Sequence, residues 1–214
     1  MSHKLEKQIL NYLGYEHLPP KPSLTRKLET KKRDPEPRKE AKIKPDCQNC
    51  GSKKYAIDKI PKELRSLVFI EERSNSESES AGLFSGEKSK ELLYKMIGAM
   101  GLDPYKTIII DSAKCTDKID FSKNEKVCDK LLKEQVAEIK PKLVILLGSA
   151  AYTSFTGEKK PELSKTRGRI EKLKGQDLLL TYNPSYLLRA PENKRRAWND
   201  LKLAMEFLGL KKGS

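Results

Sequence analysis

The chain has 214 residues, 44 of them Lys or Arg and 30 Asp or Glu, which gives a net charge of +14 at neutral pH. That length is one domain with room for an appendage. The aliphatic run Leu143–Leu147 is far short of the roughly 20 residues of a membrane span, and the charged start Met1-Ser-His-Lys-Leu-Glu-Lys lacks the apolar stretch of a secretion signal. What is expected is a cytoplasmic protein, a monomer by default, with no membrane partner and with a polyanion, nucleic acid foremost, as its ligand.

Residues 1–16 have the spacing of one short amphipathic helix, with Leu5, Ile9, Tyr12 and Leu13 on one face. Residues 17–46 read as a basic, Pro-rich linker that holds Pro19, Pro20, Pro22, Pro35, Pro37 and Pro45 and the charge run from Lys31 to Glu40. Such composition cannot bury enough apolar surface to pack a core. The folded domain is therefore expected over 47–210. It begins with the knuckle Cys47-Gln-Asn-Cys50.

From residue 60 strands and helices alternate. Leu67–Ile70 is a short buried strand, and Leu92, Leu93, Met96, Ile97 and Met100 make a helical stripe closed by Gly101. Thr107–Ile110 is a second strand. Val127, Leu131, Leu132, Val136 and Ile139 make a second helix, stopped by Pro141. Leu143–Leu147 is a third strand, and Gly148 opens the turn into a short helix that runs to about Phe155. Residues 156–176 are polar and read as loop with at most a short strand, Leu178–Tyr182 is a fourth strand, and Pro191 starts a last helix with the stripe Trp198, Leu201, Met205 and Leu208. Alternation of this kind implies an α/β fold: three αβα layers around a four-stranded parallel sheet. Ligands of such sheets bind beyond the carboxyl ends of the strands, here residues 71–86, 111–115, 148–150 and 183–189.

The four cysteines are Cys47, Cys50, Cys115 and Cys128. In a reducing compartment such a set points to a metal rather than to disulfides. A zinc ribbon more often carries a second C-x2-C pair, whereas a four-thiolate iron–sulfur site accepts irregular spacing. Spacing alone leaves both open.

These pieces, in this order, resemble the uracil-DNA glycosylase superfamily, in particular its iron–sulfur (family 4-type) branch, over about residues 45–209. The resemblance is carried by the Cys47–Cys50 knuckle, Gly82-Leu-Phe-Ser-Gly86 with the following helix to Leu102, Lys114-Cys115, Cys128, Leu147-Gly-Ser-Ala150, Arg167-Gly168, Asn183-Pro-Ser-Tyr-Leu-Leu-Arg189, and Trp198-Asn-Asp-Leu201. It implies base excision of uracil or another deaminated base from DNA by N-glycosidic bond hydrolysis, and a [4Fe–4S] cluster on the four cysteines, with zinc as the alternative metal. It also implies a DNA-facing loop in which Leu187 or Leu188 is the wedge, with Ser185, Arg189, Lys194 and Arg195 on the strand.

The residues expected to do the chemistry depart from the family pattern. Where the family has G-E-x-P-G the chain reads Glu71-Glu72-Arg73-Ser74-Asn75, so that only Glu72 matches. Glu79 is the second acid that could polarise water, and Phe84 is the candidate for stacking on the base. Asp111 stands where the family has Asn, and Asn183 where it has His; the only histidines are His3 and His17. An ionised Asp111 only accepts hydrogen bonds and would suit a base that presents an amino group, whereas Asn183 can still donate to a developing oxyanion. The alternative on the same scaffold is a catalytically inactive DNA-binding protein.

Overall fold

The computed structural model describes residues 65–71, 86–112, 121–158 and 161–210, with side chains in the third stretch from residue 128 onward. The expected helix over 1–16, the linker 17–46, and Cys47, Cys50, Glu72, Glu79, Phe84 and Cys115 lie outside the described residues.

The elements are β1 (Leu67–Glu71), α1 (Gly86–Ala99), β2 (Ile108–Asp111), α2 (Phe121–Ile139), β3 (Leu143–Leu147), α3 (Ser149–Thr156), α4 (Leu163–Thr166), β4 (Ile170–Leu173), β5 (Gln176–Thr181), α5 (Pro184–Arg189) and, after a 3-10 turn over Pro191–Asn193, α6 (Lys194–Leu208). The sheet runs β2-β1-β3-β5-β4. Its first four strands are parallel, as the alternation of strands and helices requires. The fifth, β4, is antiparallel to β5 and forms the edge. The short strand allowed within the polar stretch 156–176 is thus β4, which pairs with β5 as a hairpin and makes the sheet five-stranded where four strands were expected. The hairpin's two-residue turn places Lys174 at φ 50° and Gly175 at φ 86°, the left-handed pair of a type I′ turn, which matches the twist of the flanking strands.

Strand alternation sorts the core into two layers. Leu67, Phe69, Leu143, Ile145, Leu147 and Leu179 face α1, α5 and α6, and pack on Leu93, Met96, Ile97, Leu187, Trp198 and Leu201. Val68, Ile70, Ile108, Ile110, Val144, Leu146, Leu178 and Leu180 face α2 and α3, and pack on Leu132, Val136, Ile139 and Ala151. All five residues of β3 are buried because helices cover both its faces. α2 ends as expected: Lys140 turns left-handed at φ 54° just before Pro141. Chain order reverses beside β1, since β2 is added on one side and β3 on the other. In parallel sheets such a reversal opens a crevice at the carboxyl edge.

Among the described residues no helix is long and apolar enough to cross a membrane.

Candidate active site

The register of the sheet builds one row of residues across its carboxyl edge: Asp111 on β2 opposite Glu71 on β1, Glu71 opposite Leu147 on β3, and Leu147 opposite Thr181 on β5. Alternation with Ile109, Phe69, Ile145 and Leu179 turns all four toward the α1 and α6 layer. Asp111 is exposed and Glu71 half-buried, while Leu147 and Thr181 are buried.

Glu71 is the residue that the sequence did not single out. Burial, and after it the Asp111 carboxylate next door, push its pKa up to about 7 against the pull of Lys90 on α1. A carboxyl tuned there carries a proton for part of the time at neutral pH and can then donate a hydrogen bond, which an ordinary glutamate cannot. The edge therefore presents a carboxylate at Asp111 beside a convertible donor at Glu71. The signal for it was the acidic doublet at the end of an apolar strand, and only the covering helix reveals its burial.

Asn183, placed directly after β5, is buried and works first as a cap. Its Oδ1 accepts from the Ser185 amide at 2.8 Å and from Ser185 Oγ at 2.7 Å. Its Nδ2 donates to the Leu147 carbonyl at 3.4 Å, tying α5 to the end of β3. With Pro184 at the first helical position, this N-cap makes 184–189 a helix rather than the open loop expected from the sequence. The Asn183 amide carries two protons, so capping leaves one N–H for a ligand.

The rest of the expected DNA face divides. Leu187 is 1% exposed and belongs to the core between α1 and α6, which removes it as a wedge in this conformation; Leu188 is only partly buried. Lys194 is also buried, not open to phosphate. Burial, and then the nearby Lys95 charge, hold its ammonium below the usual lysine range. It lines a small cleft with Leu92, Met96, Leu187, Trp198 and Leu201. Arg189 and Arg195 are exposed, together with Arg196, while Ser185 is half-buried and engaged with Asn183.

Behind this face stands a buried ion pair that spacing could not reveal. Arg167 and Asp200 are 33 positions apart. Arg167 Nε donates to Asp200 Oδ2 at 2.9 Å, its Nη2 donates to Asp200 Oδ1, and Nη2 also donates to the Arg196 carbonyl at 2.8 Å. Thr181 Oγ1 completes the carboxylate's shell at 2.6 Å. Burial raises the Asp200 pKa, with Arg167 and Thr181 opposing it. Gly168, at φ 78°, allows this approach, since a Cβ there would lie 3.0 Å from Asp200 Oδ1. The Arg167-Gly168 and Trp198-Asn-Asp-Leu201 stretches quoted from the sequence are thus two halves of one clamp.

Cys128 is fully buried on α2. It is the one cysteine of the four whose place is described. Among the described residues no three acidic, His or Cys side chains gather as a metal site.

Comparison with known proteins agrees with this arrangement. The family model "Uracil DNA glycosylase superfamily" matches residues 57–202, a span that takes in β1 with its acidic edge, the Arg167–Asp200 clamp and the Asn183 cap. The chain is also 27% identical over 148 residues to the "Type-4 uracil-DNA glycosylase" of Thermotoga maritima, an alignment that covers 66% of this chain and 77% of that protein. A mostly parallel sheet with Asp111 and Glu71 at its carboxyl edge, in a chain matched along most of its length by that family model, places the chain in the uracil DNA glycosylase superfamily.

Proposed function

We propose that this protein is a DNA N-glycosylase that hydrolyses the bond between deoxyribose and uracil or another deaminated base. The observation that supports it best is the row at the carboxyl edge, Asp111 beside Glu71 with the Asn183 amide across β3, in a chain of this superfamily. In the reaction water adds to C1′ and gives up a proton, the C1′–N bond breaks, and the base leaves with the electron pair and is protonated on that nitrogen. Asp111, with Glu72 and Glu79 from the segment after β1, orients and polarises the water. The remaining Asn183 N–H faces the charge that develops on the base, and Phe84 stacks on it. The protonated form of Glu71 gives the edge a donor that a pair of carboxylates lacks, and this suits a base carrying both an acceptor and a donor. Ser185, Leu188, Arg189 and Arg195 meet the strand.

Cys128 closes the segment that begins at Cys115, and its full burial suits a thiolate held by a metal, shielded from solvent. With Cys47 and Cys50, Cys115 and Cys128 would hold a [4Fe–4S] cluster. When bound, such a cluster supplies a structural tie between the start of the domain, β2 and α2. We place the protein in the cytoplasm as a monomer, with DNA as its partner.

The test is excision. Purified, cluster-loaded protein is incubated with single- and double-stranded oligonucleotides carrying uracil, hypoxanthine or xanthine. Abasic product from at least one is expected, with a pH profile that Glu71→Gln changes. No product from any of them at stoichiometric enzyme overturns the reading. Iron and sulfide content of the same preparation tests the cluster, and zinc in their place would refute it.

A further inference from the structure

Arg167 and Tyr186 both pack on the ring of Tyr182. The Arg167 guanidinium carbon lies 4.9 Å from the Tyr182 ring centre, and the Tyr182 and Tyr186 rings are 5.4 Å apart and 10° from parallel. The inner end is fixed. Arg167 is 14% and Asp200 1% exposed at the side chain, and Thr181 and the Arg196 carbonyl hold the pair in place. The outer end is open: Tyr186 is 37% exposed, and its hydroxyl accepts from Asn193 Nδ2 at 3.3 Å.

A tyrosine held flat by a second ring has already lost most of its rotamer freedom, so a planar ligand that settles on it costs little further order. The basic residues close to it in the chain, set against the single acid Glu192 on the same Asn193 amide, select the kind of ligand. Arg189 follows on the same short helix, and Arg195 and Arg196 begin the next; all three are exposed. Leu187, by contrast, is spent on the core. The geometry points to Tyr186 as a stacking platform for a nucleobase of the bound DNA, with the strand's phosphates on Arg189, Arg195 and Arg196. The inference rests on the DNA-binding part of the function proposed above but not on excision. Stacking on an aromatic face is tolerant of sequence, so the platform would hold a neighbouring base and steady the strand whichever base is excised.

The experiment measures binding of the full chain to two labelled single strands of equal length at low salt, one of thymidines and one of abasic sugars. Wild type is expected to prefer the thymidine strand. Tyr186→Leu, which keeps apolar cover over Tyr182 without a planar face, should lose about tenfold on thymidines, within the range of one stacked base, and nothing on the abasic strand. Tyr186→Phe should bind as wild type. Equal weakening on both strands, or none on either, overturns the platform, and Tyr186 is then only a cover for Tyr182. Failure of wild type to bind either strand overturns DNA binding and the platform together. A base-dependent Tyr186→Leu effect in a protein that excises nothing would keep the platform and refute the glycosylase.

Discussion

Glu71 sits where a carboxylate is costly, and its protonation should be visible in the stability of the fold. Its pKa in the folded protein, about 7, lies above the value of an unfolded glutamate. Between the two the folded state binds more protons than the unfolded one. Stability therefore falls as pH rises through this window and levels off above it. Glu71→Gln removes the ionised form, so it should flatten that slope and raise stability at pH 8 by up to about 3 kcal/mol. Urea denaturation of both proteins at pH 5.5 and pH 8 checks this; parallel slopes would show that the Glu71 charge is solvated. At this scale the sequence was a partial guide. Asp111 and Asn183 could be located because each follows an apolar strand, and the structure puts both at the carboxyl edge. Glu71 was passed over because burial at a strand end depends on the helix that covers it, and that helix is 15 residues further on. For Lys194 and Leu187 a basic or apolar letter near a loop suggested contact with DNA, whereas the α1–α6 seam takes in both side chains.

Elements were legible where periodicity is strong. The stripes of α1, α2 and α6 and the four parallel strands fell where the apolar spacing put them, since period 2 and period 3.6 have few ways to be satisfied in a sheet covered on both faces. β4 could only be allowed as a short strand somewhere in 156–176, not located, because an edge strand buries little: Ile170 and Leu173 are half-buried and Lys172 is exposed, so no apolar run marks it. α5 escaped because its six residues have too little length for a period, although Asn183-Pro184 carries the cap-and-proline signature of a helix start. The strongest test at this scale concerns the clamp that joins the 167–168 turn to α6. Asp200→Asn keeps the shape but leaves the Arg167 guanidinium without its anion in a nearly closed site. Loss of one partner of such a pair should cost roughly 3 kcal/mol or more, read as a lower urea midpoint with an unchanged slope. A change well under 1 kcal/mol would mean that Arg167 swings to solvent when released.

For the molecule as a whole, the excess of positive charge is spread over two regions of different kinds. Residues 1–45 hold twelve Lys or Arg against six acids, and most of the remaining excess lies in the superfamily domain. There Arg189, on α5, and Arg195 and Arg196, at the start of α6, are exposed. With their side chains on phosphates, affinity for single-stranded DNA should fall linearly with the logarithm of salt concentration. Replacing Arg195 and Arg196 by Ala should lower the slope by about 1.4, roughly 0.7 for each phosphate no longer neutralised. An unchanged slope would move the phosphate track elsewhere.

Trp198 gives the molecule a property of another order. It is the chain's single tryptophan, 2% exposed, and its ring nitrogen has no hydrogen-bond partner among the described residues, an unusual state for a buried indole. Its emission reports on one buried position in the core under α6, shielded from dissolved quenchers. The emission should therefore be blue-shifted in the native protein and red-shifted once α6 leaves the sheet. The chain thus carries its own optical gauge of whether the domain is closed.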